Sequence, residues 1–405
     1  MNWALRFAGA ALVAGILLGG IDSTLLPLDD PAIRYATAPT LDRATQLDAR
    51  LRSGELKLSY HRDFGYLISL LKALDVPVSS QVLVFSKTSF QAHRIAPRTP
   101  RALYHSADIS IGFVRGGDVL EIAATDPKQG IVFYSLDQEQ SPNQRLVRRE
   151  ECIQCHHGAS TLGVPGLVLR SVHADRTGQA LGNAKSFLTD YRSPLDQRWG
   201  GWYVTGLSGK QHHMGNQTVT DRDAPEYDHA AGSNVESLDR FFDTPTYLTG
   251  TSDIVSLMTF EHEIRFTNLV TRLGWESRLG RDIDPTVEEL VKAIFFEDEA
   301  PLTDAVQGSR EFATAFAAAA IRDKAGRSLR DFDLRTRMFQ YRCSYLVYSE
   351  QFDALPAPAR EKVWRRVYDS LAGAAPSKLP EAERRAVLEI LRDTKKLLPD
   401  YFRAR

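Results

Sequence analysis

The sequence predicts an α+β fold, with a strand-rich first half and a helical second half. Three observations lead to this class. Short apolar runs separated by turn residues fill residues 81–136, a polar stretch follows at residues 208–237, and apolar residues recur at helical spacing from residue 253 onwards. Short runs bounded by turn residues indicate strands, whereas apolar residues at i, i+3 and i+4 indicate helices.

The first half is expected to contain one helix and a series of strands. Residues 60–74 carry four leucines on a single stripe, which predicts a helix. Strands are predicted at residues 82–85, 109–114, 119–123, 131–134, 167–172 and 202–205. Gly116 and Gly117 separate two of these runs, and a Gly-Gly link between apolar runs is typical of a β-hairpin.

The second half is expected to be helical. Periodicity predicts helices at residues 253–273, 287–296, 310–321, 329–349, 359–371 and 380–397. Pro380 suits a first helical turn, because the N–H that proline lacks would be unpaired there. We divide the chain into residues 1–38, a signal peptide or N-terminal membrane anchor; residues 39–206, a β-rich region; residues 207–250, a loop or linker; and residues 251–405, a helical region.

Composition and charge indicate a globular protein and do not favour a nucleic-acid-binding one. With 43% hydrophobic and 25% charged residues the chain is globular and long enough for two packed domains. A net charge of −1 gives no reason to expect nucleic acid as a partner.

The N-terminal segment predicts export. Residues 7–21 form an uninterrupted run of 15 apolar and small residues before Asp22. This length suits the apolar region of a signal peptide and falls short of the roughly 20 residues that span a bilayer. Cleavage sites after the run are poor, so an uncleaved anchor and a membrane association through this segment stay open. The expected location is the periplasm or the outer face of the cytoplasmic membrane.

The pentapeptide Cys152-Ile153-Gln154-Cys155-His156 is the most specific motif in the chain. Two thiols three positions apart can each add to one vinyl group of a porphyrin, and the imidazole after the second thiol then reaches the iron. The motif therefore predicts one covalently attached haem c.

Three other interpretations use the same residues. A structural zinc site needs four ligands, and Cys343 is the only other cysteine in the chain. A thioredoxin-like redox pair would follow a strand and open a helix, but residues 143–151 are polar and charged. The third alternative is a chance occurrence in a loop.

The motif resembles that of c-type cytochromes, and this resemblance covers five residues. It implies thioether bonds from Cys152 and Cys155 and proximal iron ligation by His156. The small class I cytochrome fold is not expected, since a long strand-like segment precedes the motif. More broadly, the sequence from Tyr60 through Trp199-Gly200-Gly201-Trp202-Tyr203 to Cys343-Ser344-Tyr345 resembles large bacterial monohaem proteins described only as cytochrome c domain-containing. That resemblance implies no substrate.

The sixth iron ligand determines whether such a haem transfers electrons or binds small molecules. His213 is the first candidate, because it lies in a loop after the aromatic run at residues 199–203. Met214 and His212 are alternatives in the same loop. The other interpretation of this loop is a solvated histidine pair.

His262 is the rival candidate for the distal position. On the helix expected at residues 253–273, Glu261, His262 and Arg265 lie on or beside the apolar stripe. They could form an internal Glu261–Arg265 ion pair beside a hydrogen-bonded histidine. Alternatively, His262 is a distal ligand, or a catalytic acid and base together with Glu261 or Arg265.

Three functions remain open on the sequence alone. The first is an exported electron-transfer protein with an unidentified redox partner. The second is a haem enzyme, peroxidase-like or oxygen-handling, with an open iron site. The third is a ligand sensor or docking subunit. Arginines around the motif could bind haem propionates: Arg145, Arg148, Arg149, Arg170, Arg192 and Arg198.

Overall fold

A computed structural model describes residues 24–223 and 227–403. Its strands are β1 (Val82–Val84), β2 (Arg101–Ser106), β3 (Ile109–Phe113), β4 (Val119–Asp126), β5 (Gly130–Asp137), β6 (Leu146–Arg148), β7 (Leu169–Val172), β8 (Ser186–Thr189) and β9 (Trp202–Tyr203). Its α-helices are α1 (Arg43–Arg52), α2 (Leu67–Ala73), α3 (Ile153–His156), α4 (His229–Gly232), α5 (Ile254–Arg278), α6 (Asp284–Ile294), α7 (Arg310–Ala318), α8 (Glu350–Asp353), α9 (Ala357–Ala372) and α10 (Glu381–Thr394). The predicted α+β class is confirmed.

A seven-stranded antiparallel sheet organises the first half, in the order β6-β5-β4-β3-β2-β1-β9, and β7 and β8 form a separate hairpin. The turn between β3 and β4 contains Gly116 at φ +65°, in the left-handed region that glycine tolerates. The hairpin that the Gly-Gly pair predicts is therefore present. Register places Ser110, Ala123 and Phe133 side by side across three strands.

The two faces of the sheet pack against different layers. One face carries Ile111, Ile122 and Val132 and shares a core with residues of α1 and α2. The opposite face carries Leu103 near β1, and this residue shares a second core with α5 and the helical half. Because successive side chains of a strand alternate between faces, each strand contributes to both layers.

Helix α5 lies at the centre of the molecule. Every residue from Ile254 to Leu273 is buried, so the helix is covered on all sides by the sheet and by other helices. Asp253 caps its first turn, with a side-chain oxygen that accepts from the Ser256 amide at 2.8 Å. Such complete burial is unusual for a helix with this many charged residues, and those charges must be paired.

One helix that periodicity predicts is absent. Residues 329–349 are irregular apart from a short 3-10 turn, Tyr345–Tyr348. Asp333 accepts from the backbone amides of Arg335 and Thr336, which offers those amides an alternative to helical bonds. The prediction of a helix here was therefore wrong. Cys343, within this segment, is buried.

Other element boundaries differ less. The helix predicted at residues 60–74 is confined to α2, because His61 and Gly65 pair as a β-bridge before it. The sequence did not predict strand β2 or helix α1. Among the described residues, the helices include none with both the length and the apolar content needed to cross a bilayer. The N-terminal run at residues 7–21 lies outside the described residues.

Candidate functional site

The cysteine motif follows the edge strand β6. A 3-10 turn, Glu150–Cys152, continues directly into α3, which ends at His156. Because residues three apart lie on one side of a helical turn, Cys152 and Cys155 face the same direction. Cys155 is exposed, whereas Cys152 is partly buried against an apolar patch that consists of Ala123, Ile131 and Phe133 on the sheet.

His156 is oriented by a single hydrogen bond. Its Nδ1 donates to the carbonyl of Gly166 at 2.9 Å, and its ring centroid lies 4.7 Å from that of Phe133. Among the described residues no hydrogen bond involves Nε2. Burial lowers the pKa of His156 and so favours the neutral imidazole, which is the form that binds a metal.

The ring of the neighbouring His157 contacts backbone carbonyl groups through its Nε2. Its Nε2 lies 3.0 Å from the carbonyl of Leu26 and 3.1 Å from that of Gly163. These contacts fix the ring of His157 against the backbone.

The two thiols are free and one is strongly protonated. Burial, followed by the charges of Glu151 and Glu121, raises the pKa of the Cys152 thiol to about 11. Redox-active pairs have the opposite property, a thiol pKa lowered below the usual value. The environment of Cys152 therefore weighs against a thioredoxin-like pair. No group of three or more His, Cys, Asp or Glu side chains suited to a metal ion occurs in the described part of the chain.

A cleft opens beside the motif, between the sheet and α5. Its cavity volume is about 20 Å³, room for about one water molecule. The apolar patch contributes Ala123 and Ile131 to its wall, so the cleft and the motif share residues. The remaining lining residues are Ser106, Ala107, Ile109, Ser110, Thr125, Leu167, Phe260, Glu263, Ile264, Thr267 and Asn268.

Glu263 is the ionisable residue of α5 that lines this cleft. Its Oε2 lies 2.9 Å from His105 Nδ1, and its Oε1 accepts from the Tyr345 hydroxyl at 2.6 Å. The Ser256 hydroxyl donates to the Ser80 carbonyl, so His105 Nε2 must donate to Ser256 Oγ at 2.8 Å. The His105 imidazole is thus held at both ring nitrogens, by Ser256 and by Glu263.

The loop with the first-choice distal ligand lies at the other end of the sheet. His213 is buried, packs on Trp199 at a centroid distance of 5.3 Å, and accepts from the Gly215 amide at Nδ1. The Asn216 amide of this loop donates to the carbonyl of Trp202 in β9, five strands from β5 and thus roughly 24 Å along the sheet at the usual strand spacing.

The two alternatives in that loop are placed no nearer to the motif. The Met214 sulfur accepts from the hydroxyl of Ser171, and His212 is exposed. The structure therefore does not bring His213, Met214 or His212 to the face of the sheet that carries His156.

His262 points away from the cleft. Its Nε2 is 2.7 Å from the Ser344 hydroxyl and its ring packs on Phe296 at 4.3 Å, both in the helical half. At about 100° per residue, His262 lies roughly 200° around α5 from the cleft residue Phe260. The distal role that periodicity suggested for His262 is therefore not supported by its placement.

Glu261 and Arg265 do not form the internal ion pair that their spacing suggested. Glu261 pairs with Arg198 at 2.9 Å, and Arg265 pairs with Glu289 at 3.0 Å and approaches Asp190 at 3.7 Å. Both residues thus connect α5 to neighbouring elements. As candidates for catalysis, neither lines the cleft.

We expect the His262 environment to cause acid lability. Burial lowers the pKa of His262 to about 3, against about 6.5 in an unfolded chain. Between these values the unfolded chain binds a proton that the native protein excludes, so the free energy of unfolding decreases as the pH falls from about 6.5 towards 3. Urea unfolding of His262→Phe across this range should show a shallower decrease, by up to about 1.4 kcal/mol per pH unit. His212→Phe, at an exposed histidine, is the control, and an unchanged slope in His262→Phe would contradict the assignment.

Sequence reasoning missed three residues near the motif. His105 and Arg101 lie on β2, which was not predicted, and Glu263 was overlooked beside His262. Alternation along β2 is the signal that could have placed His105 and Arg101 on one face. Comparison with models of protein families, with curated proteins and with solved structures finds no match to this chain.

Proposed function

We propose that this chain is an exported c-type haem protein that transfers single electrons. Cys152 and Cys155 would hold the haem through thioether bonds, and His156 Nε2 would bind the iron. One observation carries the proposal: the Nδ1 of His156 donates to the Gly166 carbonyl at 2.9 Å. Metal-binding histidines almost always donate their second ring N–H in this way, which fixes the tautomer and aims the other nitrogen at the metal.

The surroundings of the motif fit a porphyrin. Ala123, Ile131 and Phe133 provide an apolar surface beside the partly buried thiol of Cys152. The second thiol, Cys155, is exposed one helical turn later, so both are available to a haem at the surface. When bound, haem supplies a one-electron iron couple whose potential depends on axial ligands and on nearby charge.

Export supports the same proposal from a separate part of the chain. The apolar run at residues 7–21 has the length of a signal-peptide core. We place the protein in the periplasm or on the outer face of the cytoplasmic membrane, with a redox protein as its partner.

A second candidate function, a haem enzyme, is favoured by the cleft beside the motif. The cleft carries a carboxyl group, Glu263, whose Oε2 lies 2.9 Å from His105 Nδ1. In this alternative Glu263 replaces His262, Glu261 and Arg265 as the acid and base. Rapid binding of cyanide to a high-spin ferric protein would favour the enzyme over the electron-transfer protein.

The test of the proposal compares two adjacent histidines. His156→Ala should keep the haem attached through the two thiols but alter the ferric and ferrous absorption spectra, because the proximal imidazole is gone. His157→Ala is the matched control and should leave the spectra unchanged. The proposal fails if both variants have the unmodified spectrum, or if the unmodified protein shows no haem bands when produced with a haem-attachment system.

A further inference from the structure

A second cavity lies in the helical half of the molecule. Its volume is about 240 Å³, which is room for a small organic molecule and not only for single waters. Its walls come from three segments: residues 295–301 after α6, residues 336–342, and residues 378–379 before α10. It shares no lining residue with the cleft beside the cysteine motif.

Glu299 lines this cavity without a counter-ion. Its Oε1 accepts from the Met338 amide at 2.8 Å, which fixes the side chain between two of the walls. Among the described residues, no lysine, arginine or histidine forms an ion pair with this carboxyl group. Its second oxygen, Oε2, is not enclosed by protein and is therefore accessible to a bound molecule. Burial raises the pKa of Glu299 to about 7, because the Met338 amide and the nearby arginines offset only part of the cost of desolvation.

The segment that carries Glu299 already binds one ammonium group. The Nζ of Lys378 lies 2.8 Å from a carboxylate oxygen of Asp298 and 3.6 Å from one of Glu297. Glu299 follows these two residues directly in the sequence. Three successive carboxyl groups are thus accompanied by a single lysine, so this side of the cavity has an excess of negative charge.

The two arginines of the cavity are largely occupied by other partners. Arg342 donates to Glu383 from Nε at 3.2 Å and from Nη2 at 2.7 Å. Arg337 donates to the carbonyls of Phe339 and Gln340, each at 3.0 Å, and its Nη1 lies 3.6 Å from Glu383. These contacts leave few arginine donors for an anion. The charges of the cavity therefore favour a cationic ligand.

The same cavity offers an apolar surface. Phe295, Phe296, Pro301 and Leu379 line it beside the charged residues, so a carbon skeleton can be buried while a charged group reaches Glu299. Phe296 and Asp298 have φ angles of +52° and +64°, in the left-handed region that residues other than glycine seldom adopt. Such unfavourable backbone conformations cluster at binding sites.

We propose that this cavity binds a small organic amine, with the ammonium group on Glu299 and the carbon skeleton against Phe295, Phe296 and Leu379. An ammonium group that donates to a carboxylate makes a charge-assisted hydrogen bond, which is stronger than one between neutral groups. The bound cation supplies the counter-charge that Glu299 lacks. This site is separate from the proposed haem site and does not depend on it.

The test uses the full-length protein with haem attached and three probes of similar size: benzylamine, benzyl alcohol and benzoate. Isothermal titration calorimetry at about pH 8, above the pKa of Glu299, should show saturable binding of benzylamine and much weaker binding of the other two. Glu299→Gln should weaken benzylamine binding by about tenfold or more, because glutamine keeps an acceptor for the Met338 amide but not the charge. Glu381→Gln, at a carboxylate that is 76% exposed on α10, is the charge-matched control and should bind benzylamine as the unmodified protein does.

Tighter binding of benzoate than of benzylamine would overturn the inference, and so would equal binding of benzylamine by Glu299→Gln and the unmodified protein. Absence of saturable benzylamine binding up to roughly 10 mM would overturn it as well. If Glu299→Gln fails to fold, Thr336→Trp replaces it, because Thr336 is exposed at the cavity and an indole there should exclude the ligand. Unchanged binding by Thr336→Trp would then contradict the inference. None of these results bears on haem attachment, so the proposed function is tested separately.

Discussion

Replacing both Cys152 and Cys155 by alanine should abolish haem staining of the denatured chain. Only a covalent bond keeps haem on a polypeptide during denaturing electrophoresis, and these two thiols are the proposed attachment points. Each single variant should retain at most one thioether and stain weakly. The measurement is a denaturing gel stained for haem, with the total protein in each lane determined in parallel.

Cys343→Ala is the matched control for this experiment. Cys343 is fully buried in the helical half, and burial raises the pKa of its thiol, so it is unsuited to either haem or metal chemistry. Its removal should leave the staining intact. Full staining of the Cys152/Cys155 double variant would exclude covalent attachment at the motif, and loss of bound zinc instead of haem would favour the structural-zinc alternative.

Replacing Glu261 by alanine should cost about 3–5 kcal/mol of unfolding free energy. Arg198 is 4% exposed and Glu261 is fully buried, with 2.9 Å between the paired atoms. Without the carboxylate, a buried guanidinium loses its counter-charge, and water cannot replace it. Urea or guanidinium unfolding followed by circular dichroism gives the free energy by linear extrapolation.

An exposed pair provides the contrast. Glu381 and Arg385 on α10 are 3.1 Å apart and 76% and 70% exposed, so Arg385→Ala should leave the unfolding midpoint nearly unchanged. Glu261→Ala should also retain full haem staining, because Glu261 does not line the cleft. An equally small effect for Glu261→Ala and Arg385→Ala would show that the buried pair contributes no more to stability than the surface pair.

The fold class could be predicted because most elements carry their own local signal. The β3–β4 hairpin has a Gly-Gly turn between apolar runs, and α6, α7, α9 and α10 lie within or close to their predicted spans. The segment at residues 329–349 has the same apolar spacing but no α-helix, and the side chain of Asp333 holds the backbone amides of Arg335 and Thr336. Periodicity cannot detect that competition between side-chain and helical hydrogen bonds.

The cysteine motif could be recognised because its residues are contiguous in the sequence. The residues of α5 and β2 on the other side of the cleft come together only through tertiary packing. Helix α5 is buried all round, so its apolar pattern does not indicate which face meets the sheet. Because of that ambiguity the sequence favoured His262 for the distal position, whereas the α5 residue that lines the cleft is Glu263. Strand β2 was missed for a related reason, since Arg101 and His105 introduce polar residues on its inner face.

The central claim, covalent attachment of one haem at Cys152 and Cys155, is tested most directly by the intact mass of the denatured protein. The chain should be produced with a haem-attachment system outside the cytoplasm. The account predicts a mass increase of one haem over the polypeptide, located by fragmentation to the peptide containing both cysteines. A polypeptide mass without that increase, from cells that attach haem to a control cytochrome, would contradict it.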